Sequence, residues 1–330
     1  MVADITHLPP SLSEVRALRQ TLRTWLVETP VIRCRNLEDR LGIGVEIWGK
    51  MEFLQQTGTF KPRGALANLL RLDEAGLRAG VTAVSAGNHA IATAFAAQSI
   101  GTSAKVVMLR TASPVRIDGC RHYGAEVVLA DDVHQAFDLA DRIRDAEGRT
   151  LIHPFEGSGV TAGTGTLGLE ICEQISEFDV VIVPIGGGGL CSGVASSVKR
   201  LNPHCRVIGV EPAGADSMSR SFASGSAEAL DRVDTIADSL GAPFALPYSF
   251  SICRQFVDEI VVVSDDQLRQ AMGILFGEMK IAVEPACAAS TAALISPGAG
   301  LEGKKVVLVF CGSNIDWVTF QKHARFSDAH

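Results

Sequence analysis

Hydrophobic positions along the chain follow two rhythms. Short apolar runs recur at 45–48 (VEIW), 81–86 (VTAVSA), 104–109 (AKVVML), 125–130 (AEVVLA), 179–185 (DVVIVPI), 206–211 (RVIGVE), 259–264 (EIVVVS) and 305–310 (KVVLVF). Most are apolar throughout instead of alternating, the pattern of strands covered on both faces of a parallel sheet. Between them, helical periodicity covers 88–100, 115–123, 133–147, 165–176, 190–201, 266–279 and 284–296. Ahead of the first strand, Ser11 and Glu14 form an S-x-x-E capping box followed by Val15, Leu18, Leu22 and Trp25. That pattern predicts an opening helix ending before Pro30. Strand and helix alternate, so the fold class is α/β, with open, mostly parallel sheets and helices on both faces. A chain of 330 residues suggests two such domains at roughly 150 residues each, but composition alone does not place the boundary.

Hydrophobic residues at 47% and charged residues at 20% describe a globular chain and exclude a disordered one. A net charge of −7, with no dense basic run, argues against a nucleic-acid partner. No stretch reaches about 18 apolar residues, which removes the membrane-spanning reading. The first twenty residues lack a basic segment followed by an apolar one, so no secretory signal is expected. Eight cysteines lie far apart without a C-x-x-C pair, which points to a reducing cytoplasm instead of a disulfide framework or a zinc site.

One attractive motif fails. Residues 163–168, GTGTLG, satisfy G-x-G-x-x-G, but no clear strand ends before them and no acid follows at the ribose-binding distance. Four other segments, each at a strand end or helix start, carry more chemistry. In QQTGTFKPRGA (55–65), Lys61 sits among Phe60, Pro62 and small residues. A partly apolar setting lowers a lysine pKa and frees the amine that a Schiff base needs; a surface lysine is the plain reading. SAGNHA (85–90) closes a strand and opens a helix whose free N–H groups suit a carboxylate or phenolate oxygen, or else is an ordinary helix start. IGGGGL (185–190) follows an apolar strand, and four glycines before a helix make a phosphate cup more readily than a mere flexible loop. FCGSN (310–314) offers the neutral sulfur of Cys311 and the amide of Asn314. Together they meet the needs of pyridoxal phosphate: a lysine for its aldehyde, a loop for its ring oxygen, a cup for its phosphate and a neutral group for its ring nitrogen.

The ordered set T-G-T-F-K-P-R-G-A, S-A-G-N-H-A, G-G-G-G-L and C-G-S-N resembles the fold-type II (tryptophan synthase β-like) pyridoxal-phosphate enzymes, and within them the serine/threonine dehydratase and serine racemase family, from about residue 12 to 316. The resemblance implies pyridoxal 5'-phosphate in a cleft between a large domain (1–55 and 153–330) and a small mobile domain (56–152). It implies Lys61 as the Schiff-base lysine, Phe60 beside the ring, Asn88 on the 3-oxygen, Gly186, Gly187, Gly188 and Gly189 on the phosphate, Glu284 near the cofactor and Cys311 facing the ring nitrogen. Ser85, Gly87, Asn88 and His89 would hold the substrate carboxylate. GVEPAGADS (209–217) resembles the family's cation site, in which Glu211, the carbonyl of Ala215 and Asp216 would hold Mg²⁺, Mn²⁺ or Ca²⁺; a solvated acidic loop is the alternative. A homodimer is expected on the same ground.

Departures from the family pattern shape the function. Ala86 stands where the family's racemases carry a proton-donating Ser, so a racemase is disfavoured. Thr164 replaces a usual Gln and Ser313 a usual Gly or Ala. The chain ends soon after Asn314, so no C-terminal effector domain is expected. The favoured activity is dehydration of L-threonine or L-serine to a 2-oxo acid and ammonia, with Lys61 as the proton base; a thiol at the ring nitrogen favours lyase over transaminase chemistry. The rivals are a dehydratase of another β-hydroxy amino acid (3-hydroxyaspartate, phenylserine or an intermediate of hydroxyectoine breakdown), a serine racemase, and a non-catalytic nucleotide-binding or regulatory α/β module.

Overall fold

The computed structural model describes residues 7–42, 44–85, 87–296 and 300–326, the side chain of Val133 aside. Among these, ten strands form two sheets: β1 (Val31–Arg33), β2 (Glu46–Met51), β3 (Val81–Val84), β4 (Ala104–Leu109), β5 (Glu126–Ala130), β6 (Thr150–Leu151), β7 (Val180–Pro184), β8 (Arg206–Pro212), β9 (Glu259–Val263) and β10 (Lys305–Phe310). One sheet runs β1-β2-β10-β7-β8-β9 and the other β5-β4-β3-β6. All neighbours are parallel except β1, which pairs antiparallel with β2. The chain thus builds the edge of the larger sheet, leaves for the smaller, and returns.

Each of the eight apolar runs is a strand. The central strands β7 and β10 are buried almost end to end, as a sheet with helices on both faces requires. The two unpredicted strands, β1 and β6, are only three and two residues long, too short to display a period. The capping box at Ser11 and Glu14 forms and starts the helix Leu12–Leu22. The helix expected from 165 begins earlier, at Ser158, and contains all of GTGTLG. Its glycines serve packing: a Cβ on Gly163 would lie 2.2 Å from the Arg63 carbonyl oxygen, and one on Gly168 2.9 Å from that of Val194. The dinucleotide pattern is therefore two close helix crossings.

The first of these crossings surrounds a buried ionic cluster. Arg63, on the helix Lys61–Leu69, donates all five of its N–H groups: Nε and Nη2 to Glu52 (both 2.8 Å), Nη1 to Thr166 (2.9 Å) and to Glu170 (2.7 Å), and Nη2 to Glu170 (2.8 Å). Lys50 donates to Glu170 and to the Thr29 carbonyl, each at 2.6 Å, and Thr29 donates its hydroxyl to Glu52. Two cations meet two carboxylates with none of the four side chains more than 3% exposed. Burial alone would lower the Arg63 guanidinium, but Glu52 and Glu170 outweigh it and raise it well above its ordinary value. Removing one member leaves the opposite charge dry and unpaired, which costs about 3–5 kcal/mol. Arg63→Met should accordingly lower stability by about that amount, read from the urea midpoint; an unchanged midpoint would show that the cluster contributes nothing net.

Candidate active site

Lys61, Cys311 and the glycine loop follow three adjacent strands, β2, β10 and β7, and stand at the carboxyl edge where open parallel sheets gather ligands. The stretch before Lys61 turns sharply at Thr57 (φ 68°) and Gly58 (φ 73°) and is zipped to the loop after β10. Phe60 N–H donates to the Cys311 carbonyl (3.1 Å) and Ser313 N–H to that of Gly58 (3.0 Å). The Asn314 amide donates to the Thr57 carbonyl (2.8 Å), and Thr59 bridges Gly312. Ser313 thus holds this zip through its backbone.

A cavity of about 490 Å³ is lined by Phe60, Lys61, Ser85, Gly87, Asn88, His89, Gly186 to Gly189, Glu284 and Cys311. All the expected cofactor and carboxylate residues therefore share one space. Ala86, on which the argument against racemisation rests, lies outside the described residues.

The Lys61 amine donates to the Pro154 carbonyl (2.8 Å) and lies 5.2 Å from the centre of the Phe60 ring. Burial lowers it from 10.5 to about 8. Asn88 begins the helix Asn88–Ile100, whose N-terminus no side chain caps. Its amide donates to both oxygens of Glu284 (2.8 and 3.0 Å) and to Ser239 (3.2 Å), and its carbonyl accepts from Asn314 (2.9 Å). Burial raises Glu284 to about 7. The His89 ring donates through Nε2 to the Ile152 carbonyl (2.8 Å), and burial holds it down at about 3, so it stays neutral. Gly188 (φ +90°) turns the chain into the helix Gly189–Leu201, which also has no side-chain cap. A Cβ on Gly187 or Gly189 would strike Phe155 at 2.3 or 2.6 Å, so this stretch must be bare backbone. Cys311 is buried, and a hydrogen bond with Cys287 together with burial keeps its thiol protonated.

The two carboxylates of the acidic loop after β8 have protein partners. Glu211, fully buried at the end of β8, accepts from the N–H groups of Met218 (2.9 Å) and Ser219 (2.7 Å) and so caps the helix Ser217–Ser224. Asp216 pairs with Arg220 at 2.9 Å. Both carboxylates have protein partners, and among the described residues no group of three or more His, Cys, Asp or Glu side chains could hold a metal. The expected Glu211–Ala215–Asp216 site has no support here, and no step below uses a metal.

Sequence reasoning missed the residues that cross the cleft. Arg116, on the helix Pro114–His122, pairs with Asp238 and donates to the Asn314 carbonyl (3.4 Å). It packs against the carboxylate loop: a Cβ on Gly87 would meet its Nη1 at 2.9 Å. Ser239, Pro154 and Phe155 were missed as well. None lies in a glycine-rich or strand-end motif, and nothing local in the sequence marks them.

A family model for pyridoxal-phosphate dependent enzymes matches residues 22–312. The chain is 52% identical to a phenylserine dehydratase of Ralstonia pickettii, over 97% of this chain and 98% of that protein. It is 38% identical to an L-threonine ammonia-lyase of Thermotoga maritima, over 93% of this chain and 76% of that one. The solved structure of maize serine racemase superposes with a TM-score of 0.90 at 33% identity, covering 96% of this chain and 97% of that chain. Fold and site define a fold-type II pyridoxal-phosphate enzyme. The chain belongs to the pyridoxal-phosphate dependent enzyme family.

The residues present fit that cofactor. A buried lysine amine, an uncapped glycine turn that tolerates no Cβ and a neutral thiol line the same cavity.

Two outcomes follow. The Lys61 amine is mostly protonated below about 8 and mostly free above it. Covalent uptake of pyridoxal phosphate by the cofactor-free protein should therefore speed up roughly tenfold per pH unit up to that point and level off beyond it. Stopped-flow absorbance reads this, and a rate that keeps climbing to pH 10 would refute the lowered amine. Second, the Arg116–Asp238 pair is half in water on the aspartate side, so Arg116→Gln should raise KM only about twofold to fivefold. The change in kcat should be smaller and the effect should fade at high salt.

Proposed function

We propose that the protein is a pyridoxal-phosphate-dependent dehydratase (ammonia-lyase) converting a β-hydroxy amino acid with an aromatic β-substituent to its 2-oxo acid and ammonia. L-Threonine and L-serine would be poorer substrates. The observation that carries this reading is the set of paired aromatic rings lining the cavity. Lys61, Ser85, Asn88, Arg116, Asp231, Arg232, Asp238, Ser239 and Glu284 line it with polar groups, and Leu151, Phe155, Leu230, Leu240 and Phe244 with apolar ones. His153 and Phe155 meet edge-on with ring centres 4.6 Å apart, and Phe155 and Phe244 lie 6.2 Å apart. Together they form an aromatic wall such as a phenyl group favours. A methyl or a hydrogen would leave this wall wet. The 52% identity to the Ralstonia phenylserine dehydratase supports the same choice.

Bound in this cavity, pyridoxal phosphate supplies an aldehyde for amines and a ring that draws electrons from the substrate α-carbon. The chain's residues supply the rest. Lys61 Nζ takes the α-proton as general base, a role suited to an amine that burial holds at about 8. The N-terminus of the helix Asn88–Ile100, with Ser85, Gly87, Asn88 and His89, holds the carboxylate through N–H groups and the dipole end. The neutral His89 ring contributes no charge and takes no proton at neutral pH. Gly186 to Gly189 hold the phosphate at the start of the helix Gly189–Leu201. Cys311 is a neutral thiol, unlike the carboxylate that transaminase chemistry favours, so elimination is the expected outcome. Asn88 already meets Ser239 and Glu284 across the cavity, and these contacts would help exclude water from the bound substrate.

Burying a phenyl ring in place of a methyl is worth about 1–2 kcal/mol, so L-threo-3-phenylserine should exceed L-threonine in kcat/KM by roughly tenfold or more. The assay follows phenylpyruvate or 2-oxobutanoate and ammonia. Equal or better use of threonine would overturn the aromatic reading, and D-enantiomer formed as fast as 2-oxo acid would replace the lyase by a racemase.

A further inference from the structure

The helix Val133–Glu147 packs on the smaller sheet through one stripe. Ala136 and Ala140 are buried on it, with Leu139 and Ile143 beside them, against Val107, Ala130 and their neighbours. Phe137 adjoins this stripe but takes no part in that core, and its flanking positions His134, Gln135, Asp138 and Asp141 are exposed and polar. A phenylalanine there is 45% exposed. Among the described residues it is the only exposed large hydrophobic side chain that also lines the active-site cavity. No other ring of the described residues pairs with it, although His153, Phe155 and Phe244 pair with one another on the cavity wall. Leaving so much phenyl surface in water forgoes burial that folding would ordinarily take. A planar apolar group in the cavity would supply it.

We propose that Phe137 is a specificity-determining residue that packs against the β-aryl group of the substrate, covering it from the side of the smaller sheet. The proposal rests on the reading that the substrate carries an aryl group, and it adds the residue responsible for preferring it. Ring on ring, offset or edge-on, gives this contact a preference for aromatic over branched aliphatic substituents. Because Phe137 sits outside the core, its substitution acts on the substrate and leaves the fold intact.

The test uses the holoenzyme and three variants, Phe137→Ala, Phe137→Leu and Phe137→Tyr. Measured quantities are kcat/KM for L-threo-3-phenylserine and L-threonine, the melting temperature, and the calorimetric Kd of L-phenylalanine, which lacks the hydroxyl and cannot eliminate. The ratio of kcat/KM for phenylserine to that for threonine should fall roughly tenfold in Phe137→Ala, less in Phe137→Leu, and stay near the parent value in Phe137→Tyr. Phenylalanine binding should weaken in the same order with melting temperatures unchanged. If the parent enzyme does not prefer phenylserine, the aryl reading fails and takes this assignment with it. If the parent prefers phenylserine and Phe137→Ala keeps that ratio, or loses both substrates equally, the substrate reading stands and the assignment to Phe137 alone is overturned.

Discussion

Arg63 brings five N–H donors into a place without water, and every one of them finds an acceptor on Glu52, Glu170 or Thr166. This saturated fork ties together the end of β2, the helix Lys61–Leu69 and the helix Ser158–Gln174. Lys50 completes the charge balance, so two positive and two negative groups share the site. Such clusters are poor sources of net stability compared with packed hydrocarbon, yet they are intolerant of any other arrangement. Lys61 lies two residues before Arg63 on the same first helical turn. The cluster therefore fixes the base of the lysine whose tip reaches the Pro154 carbonyl.

A second network runs across the cleft and is built on different terms. Asn88 binds Glu284 and Ser239, Asn314 binds Asn88, and Arg116 binds Asp238 and the Asn314 carbonyl. Asn88 and Arg116 follow strands of the smaller sheet, and their partners follow strands of the larger one. Glu284, raised by burial to about 7, sits at the centre of these contacts with an amide as its nearest donor instead of a buried cation. Neutral hydrogen bonds and a half-exposed ion pair are each worth about 1 kcal/mol. The contacts across the cleft are thus individually weaker than those of the Arg63 cluster.

The same contrast separates the polar and apolar parts of the cavity. Groups that handle charge are backbone N–H donors at uncapped helix starts and one desolvated amine, all on elements fixed by the sheets. Side chains from the helix Val133–Glu147 and from the stretches around Phe155, Leu230 and Phe244 line the rest of the cavity.

How much of this the sequence determined follows from the range of each interaction. Strands read from apolar runs, and helices from period and capping, are local properties, so all eight runs and the Ser11–Glu14 cap appear where the pattern put them. Lys61, Asn88, the glycine turn and Cys311 were singled out from short segments of sequence, and the fold brings them around one cavity. The order β2-β10-β7, which sets three of those segments side by side, links the beginning, end and middle of the chain and has no local signature. For the same reason Arg116 and Asp238, 122 positions apart, read as two ordinary surface charges until the fold opposed them. The glycines of GTGTLG matched a nucleotide-loop pattern that the sequence already argued against, and the structure shows them to be helix contacts, because a glycine pattern records close approach without saying to what. Glu211 and Asp216 read in sequence as oxygen ligands or as a solvated acidic loop, and only the tertiary structure shows one accepting from a helix N-terminus and the other paired with an arginine. Phe137 reads in sequence as an apolar residue beside a helical stripe. Only the packed structure shows that its ring missed the core and lines the active-site cavity, since burial is decided by the partner surface and not by the side chain alone.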